Sequence, residues 1–139
     1  MTIELTMKSL YKVAMVAGAA CMVVSCSDSA DGVWLGECRN DTVGTKSGMQ
    51  MTIRQDGDKL QGILMLKDEL YGSGHLSGLV IGKDVTIRSE GDGQTFVNII
   101  WSGRLKGDVI KGTYRVEPTP SAAMLGRSVQ NGTFILNRK

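Results

Sequence analysis

The sequence has little of what metal, cofactor and nucleic-acid sites require. His75 is the only histidine in 139 residues, and no Cys-x-x-Cys or His-Glu-x-x-His pattern accompanies it. Zinc sites need several such ligands, so we expect neither a metal nor a cofactor. The formal net charge is only +2 and the basic residues form no stripe, which argues against nucleic-acid binding. No carboxylate pair or phosphate-binding loop stands out, so we do not expect an enzyme.

Long hydrophobic runs are also missing. The apolar stretch 13–24 has twelve residues, whereas a helix needs about 20 to cross a bilayer. Lys8 and Lys12 precede the stretch and small residues end it, which is the three-part pattern of a secretory signal. The pattern predicts a cleaved signal helix over residues 1–25, with Met7 as a second candidate start, rather than a buried helix of the folded domain.

The signal ends in Val23-Val24-Ser25-Cys26. This segment resembles the lipobox of bacterial lipoproteins, in which the cysteine receives a diacylglyceryl group and becomes the new N-terminus. The resemblance implies lipidation of Cys26 and anchoring in the bacterial cell envelope, at the periplasmic or surface face of the outer membrane. An ordinary signal with an incidental cysteine is the alternative. The polar, acidic residues that follow predict a flexible tether over 26–32.

Cysteine is scarce once this leader is set aside. Of the three cysteines, Cys21 would be removed and Cys26 acylated, which leaves Cys38 as the only thiol. No internal disulfide can form, so stability must come from packing and strand pairing. The remaining segment, 33–139, has the size of one domain. We expect a monomer.

Glycine, in contrast, is abundant. All 18 glycines except Gly18 follow residue 26, at about twice the usual frequency of 7%. They lie among period-2 apolar alternations that predict short strands. The eight predicted strands lie near 32–39, 48–55, 60–66, 73–80, 85–88, 95–105, 110–116 and 131–138. Their number and spacing predict an antiparallel barrel or sandwich.

The position of the glycines favours the barrel. Most predicted strands carry a glycine in phase with their apolar face, where it lets the sheet bend and close: Gly36, Gly62, Gly78, Gly103, Gly112 and Gly132. The Gly-x-Trp-x-Gly sequence around Trp34, the Gly-rich meander and the aromatic last strand resemble the calycin group of lipocalins, avidins and small barrel lipoproteins. The resemblance implies an all-β, eight-stranded, up-and-down antiparallel barrel. No polar biotin-binding set accompanies Trp101, so biotin binding is not implied.

The inward faces of the predicted strands provide the leading functional hypothesis. They are apolar and interrupted by glycines that could leave space between them, which suggests a non-enzymatic barrel that binds an apolar or amphipathic small molecule. The candidate ligand contacts are Trp34, Met51, Trp101 and Tyr114. The alternative for these side chains is a packed core.

Two loops carry the rival hypothesis, a protein-interaction or inhibitor module acting on an envelope protein. The connection 117–130 is far longer than a hairpin turn, and such loops are often functional. The alternative for this loop is structural: residues 121–125 form one helical turn, and Met124 and Leu125 plug one end of the barrel. The second loop, 67–72, contributes Tyr71.

Overall fold

Eight antiparallel strands form a closed barrel in the computed structural model, which describes residues 29–67, 73–90 and 97–139. The strands are β1 (Gly32–Asn40), β2 (Lys46–Asp56), β3 (Lys59–Leu66), β4 (Gly74–Ile81), β5 (Asp84–Glu90), β6 (Val97–Lys106), β7 (Val109–Pro118) and β8 (Gln130–Arg138). One short helix, α1 (Pro120–Met124), precedes β8. The predicted up-and-down barrel is therefore confirmed, and the predicted signal helix lies outside the described residues.

Each strand pairs with its sequence neighbours, and β8 closes the barrel on β1. The closing ladder places Cys38 opposite Phe134 and Gly36 opposite Leu136. Burial alternates along every strand, so one face of each strand fills a shared interior. A barrel closed in this way leaves no sheet edge unpaired.

The interior glycines allow neighbouring strands to approach closely. A β-carbon at Gly62 would lie 1.8 Å from the carbonyl oxygen of Thr52, and one at Gly36 would lie 1.8 Å from that of Ile135. No side chain fits at such a distance from a backbone atom. The glycines predicted to let the sheet bend therefore lie where strands press together.

The two ends of the barrel differ in their connections. Three two-residue hairpins lie at one end, each with a glycine at positive φ: Gly57 (61°), Gly82 (62°) and Gly107 (60°). The first residue of such a tight turn needs φ above zero, which glycine adopts without strain. We call this end, where the chain also enters β1 and leaves β8, the closed end. The longer connections 41–45 and 119–129 lie at the opposite end, the open end, where β3 and β5 also end and β4 and β6 begin.

The closed end is sealed by residues that precede β1. Ala30 is fully buried, its N–H donates to Gln55 Oε1 (2.7 Å), and its carbonyl accepts the indole N–H of Trp34 (2.9 Å). The Arg138 guanidinium lies 4.3 Å from the centre of the Trp34 ring and donates to the carbonyls of Ser29 (2.6 Å) and Asp31. The tether predicted over 26–32 is thus wrong for residues 29–32, which are bonded to the barrel or belong to β1.

Within the described ranges, no helix has the length and apolar content needed to cross a membrane.

Candidate functional site

The open end contains a cavity of about 450 Å³. Its deep wall is mainly apolar, and its polar groups lie mostly near the mouth. The lining residues are Cys38, Asn40, Thr45, Leu66, Val97, Ile99, Trp101, Tyr114, Val116, Pro118, Gly126, Arg127, Ser128 and Gln130. The half of the interior nearer the closed end is packed with side chains that are almost completely buried, among them Trp34, Met51, Leu60, Leu64 and Leu105.

Three aromatic rings form one wall of the interior beside this cavity. The Trp101 and Tyr114 rings are 4.7 Å apart and tilted by 36°, and Phe134 meets Trp101 edge-on at 5.3 Å. Aromatic pairs prefer such tilted and edge-on arrangements, which hold the rings in place. The cavity therefore has an aromatic wall, held in place by ring contacts, against which an apolar ligand could pack.

Two glycines make room for these rings. A β-carbon at Gly132 would lie 2.4 Å from atoms of the Tyr114 ring, and one at Gly103 would lie 2.9 Å from Cζ of Phe134. Gly132 lies on β8, next to the strand of Tyr114, whereas Gly103 on β6 accommodates a ring that reaches over Gly112 of β7 from β8. The inward glycines thus serve the shape of the site as well as barrel closure.

Ser89 orients Trp101. It is a fully buried polar residue, and its hydroxyl accepts the indole N–H of Trp101 at 3.0 Å. The sequence reasoning missed this residue, although Ser89 continues the inward phase of Val85 and Ile87 along β5. A serine in phase with apolar neighbours was the available signal for a buried hydrogen bond.

Hydrogen bonds hold the mouth of the cavity in shape. The Asn40 side chain donates to Gln130 Oε1 (2.7 Å) and accepts backbone N–H groups from Thr42 (3.0 Å) and Val43 (3.2 Å). The Thr42 hydroxyl in turn accepts the N–H of Asn131 (3.0 Å). These bonds join the 41–45 connection to β8, so this side of the mouth is preformed.

The β7–β8 connection forms the other side of the mouth. Thr119 caps α1 by accepting the N–H of Ala122, and the backbone N–H of Arg127 donates to the Ala122 carbonyl at 3.1 Å. Ala122 is fully buried, which seats the helix against the barrel. The connection thereby places Gly126 and Ser128 at the cavity.

Two ionisable groups in the cavity are held in their neutral forms. Burial raises the pKa of the Cys38 thiol, and burial is also the main cause that raises the pKa of Tyr114, followed by the nearby Cys38 and Asp41. Removal from water disfavours the charged form of either group. Near neutral pH both side chains can therefore offer hydrogen bonds without carrying charge.

The structure separates the four predicted ligand contacts into two pairs. Trp101 and Tyr114 lie together on the cavity wall, whereas Trp34 and Met51 are fully buried in the packed half of the barrel. Trp34 faces Met51 across the β1–β2 ladder, where both serve the core.

The structure also changes the roles expected for the loop residues. A helical turn forms close to the predicted position, but Met124 and Leu125 are 89% and 76% exposed, so the prediction that they plug the barrel is wrong. The buried residue of α1 is Ala122 instead. Cys26 and Tyr71 lie outside the described residues. His75 is exposed on β4, on the face opposite the buried Leu76.

Comparison with known protein families finds no family that matches the chain, and comparison with curated proteins finds no relative by sequence. The site therefore has to be interpreted from its own geometry.

Proposed function

We propose that the protein is a lipid-anchored, non-enzymatic component of the bacterial cell envelope whose barrel binds an apolar or amphipathic small molecule at its open end. The cavity carries this proposal. Its volume of about 450 Å³ lies above the roughly 300 Å³ at which ligand pockets begin. The rest of the barrel interior is packed with side chains.

The distribution of polarity supports an amphipathic ligand. The apolar part of a ligand would pack on Trp101 and Tyr114 and against Val97, Ile99 and Val116, where burial contributes about 25 cal/mol per Å² of apolar surface. A polar part would reach Asn40, Ser128 and Gln130 near the mouth. Because the aromatic rings and one side of the mouth are already held in place, little ordering energy opposes binding.

The arrangement around Cys38 supports a role without catalysis. An activated cysteine needs a lowered thiol pKa and a base beside it. Burial raises the pKa of Cys38, and the single histidine of the chain, His75, is exposed on the outer face of β4.

A fluorescent probe tests the proposal directly. N-phenyl-1-naphthylamine, a neutral apolar dye, should bind the wild-type barrel with a rise in its fluorescence. Val97→Trp should weaken this binding about tenfold or more, because Val97 is a buried residue of the cavity wall and the larger ring fills the space.

Val43→Trp is the matched control. It makes the same change at the open end, but at a residue that is 56% exposed and does not line the cavity. Dye binding should be unchanged in this variant. Equal dye affinity in V97W and in the wild type, or no binding by the wild type of this dye or of a panel of long-chain lipids, would refute the proposal.

One observation favours the rival function, recognition of an envelope protein. Four exposed apolar side chains lie in the connections of the open end or beside them: Val43, Met124, Leu125 and Val129. Protein interfaces often use such exposed apolar groups. In that case the double variant Met124→Ser/Leu125→Ser would lose a partner captured by the wild type from envelope extract while retaining dye binding.

A further inference from the structure

Almost every polar side chain inside the described barrel has a hydrogen-bond partner. The satisfied groups are the indole N–H groups of Trp34 and Trp101 and the hydroxyls of Ser47, which donates to the Lys67 carbonyl at 2.8 Å, and Ser89, which accepts from Trp101. This is the usual state of buried polar groups, since a missing partner costs about 1–3 kcal/mol. An interior polar group without a partner therefore calls for a physical reason.

Tyr114 is the large interior side chain that departs from this rule. It is 7% exposed and faces inward from β7, yet its hydroxyl makes no hydrogen bond with any described residue. No side-chain oxygen or nitrogen in the described part is both sealed from solvent and unpartnered, so the hydroxyl must contact open space. Tyr114 lines the cavity and also borders a shallow outer groove with Asp41 and Gly132, and the inward direction of its side chain on β7 favours the cavity as that space.

The ring that carries this hydroxyl is fixed. Trp101 packs on it at 4.7 Å, and Gly132 leaves the space that its Cε1 and Cζ atoms occupy. The Cys38 thiol, 4% exposed, lines the same cavity. A positioned hydroxyl and a thiol thus lie in an otherwise apolar wall, within reach of whatever occupies the cavity.

We infer that the Tyr114 hydroxyl selects the ligand, and that the ligand is an aromatic or other apolar molecule bearing a neutral hydroxyl or carbonyl group on the part that enters the cavity. The inference rests on the proposed ligand-binding function and deepens it. A phenolic hydroxyl can both donate and accept, so it recognises either group. An ionised group would instead remain near the mouth, because the buried Tyr114 and Cys38 side chains offer it no charge.

Selection follows from the difference between ligands with and without such a group. A ligand that bonds to Tyr114 replaces the water that the hydroxyl loses, whereas an apolar isostere leaves the hydroxyl unpaired. Sites built around a hydrogen-bonding group reject isosteres that lack the group, and the size of the effect depends on how well water is excluded.

A pair of similarly shaped compounds provides the test. The affinities of 2-naphthol and 2-methylnaphthalene are measured by displacement of N-phenyl-1-naphthylamine from the wild type, from Tyr114→Phe and from Thr113→Val. The control removes a hydroxyl from the neighbouring residue of β7, which faces outward. Comparing the two compounds within each variant cancels their different hydration.

The preference for 2-naphthol over 2-methylnaphthalene should fall about three- to tenfold in Y114F, as expected for one net hydrogen bond, and stay unchanged in T113V. The thermal unfolding midpoint of Y114F should stay near that of the wild type, because the lost hydroxyl bonds to no described residue.

Three results would overturn the inference. Unchanged affinities for both compounds in Y114F would show that the hydroxyl does not contact the ligand. An equal loss of affinity for both compounds would assign Tyr114 to packing alone. In either case dye binding by the wild type keeps the proposed ligand-binding function intact, whereas failure of the dye to bind removes that function and the inference together.

Discussion

The glycines of this barrel differ in what an added β-carbon would contact. At Gly62 a β-carbon would meet the Thr52 backbone at 1.8 Å, whereas at Gly48 it would meet the end of the flexible Lys67 side chain at 3.0 Å. Backbone cannot move without disturbing the β2–β3 ladder, but a lysine side chain can rotate away. The identity of the neighbouring atom therefore decides how much each glycine matters.

This contrast predicts different stabilities for two equivalent substitutions. Gly62→Ala should lower the free energy of unfolding by about 2 kcal/mol or more, and Gly48→Ala should change it by less than about 1 kcal/mol. Urea unfolding followed by tryptophan fluorescence measures both. Equal losses in the two variants would contradict the close approach between β2 and β3.

Tyr114 should make the protein sensitive to alkali. Its pKa is raised in the folded state, so as pH rises above the usual value of 10.0 the unfolded chain loses this proton first and becomes favoured. The contribution of Tyr114 to stability is therefore present below about pH 10 and is lost as pH rises further.

Comparison with Y114F isolates this effect. The free energy of unfolding is measured by urea titration at about pH 8 and about pH 11, on either side of the ordinary tyrosine pKa. The wild type should lose more stability between the two conditions than Y114F does, because the other ionisable groups are common to both proteins. An equal loss would mean that Tyr114 ionises normally in the folded state.

At the scale of elements, the strands could be predicted and the long connection only in part. All eight strands lie close to their predicted positions, because the closed barrel has a single interior and the period-2 pattern continues along each strand. In the β7–β8 connection no such periodicity applies. Met124 and Leu125 are apolar but exposed, while the small Ala122 is the residue that packs.

That correction predicts how the connection responds to substitution. Met124→Ser and Leu125→Ser should each change the free energy of unfolding by less than about 0.5 kcal/mol and leave dye affinity unchanged, since neither residue lines the cavity. Ala122→Glu places a charge at a buried position and should weaken dye binding by displacing Gly126 and Ser128 from the mouth. Calorimetry and dye titration measure the two effects. Destabilisation in both serine variants would show that Met124 and Leu125 pack in the core.

The candidate site illustrates a second limit of sequence reasoning. Trp34 and Trp101 both face inward and share the same alternating pattern, so periodicity cannot distinguish them. Their roles differ because strand register and connection length place Trp34 under the sealed end and Trp101 beside the open one. Position along the barrel axis depends on all eight strands together, and no local segment encodes it.

For the molecule as a whole, the lipid anchor is the prediction that most needs a direct test. Radioactive palmitate should label the wild-type protein in a bacterium with lipoprotein-processing enzymes, and the label should disappear in Cys26→Ala. Cys21→Ala is the matched control and should keep the label, because Cys21 lies within the segment predicted to be removed. Label that persists in C26A would show that the anchor, if there is one, lies elsewhere.

Ala30, Trp34 and Arg138 seal the closed end, and this seal bears on the side from which a ligand can enter the barrel. Ser29 is already bonded to Arg138, so an anchored Cys26 would lie at most about 10 Å further along the chain. So short a connection would hold the closed end of the barrel against the bilayer. The open end would then face away from the membrane. Ligands would then enter the cavity from the aqueous phase and not from the lipid bilayer.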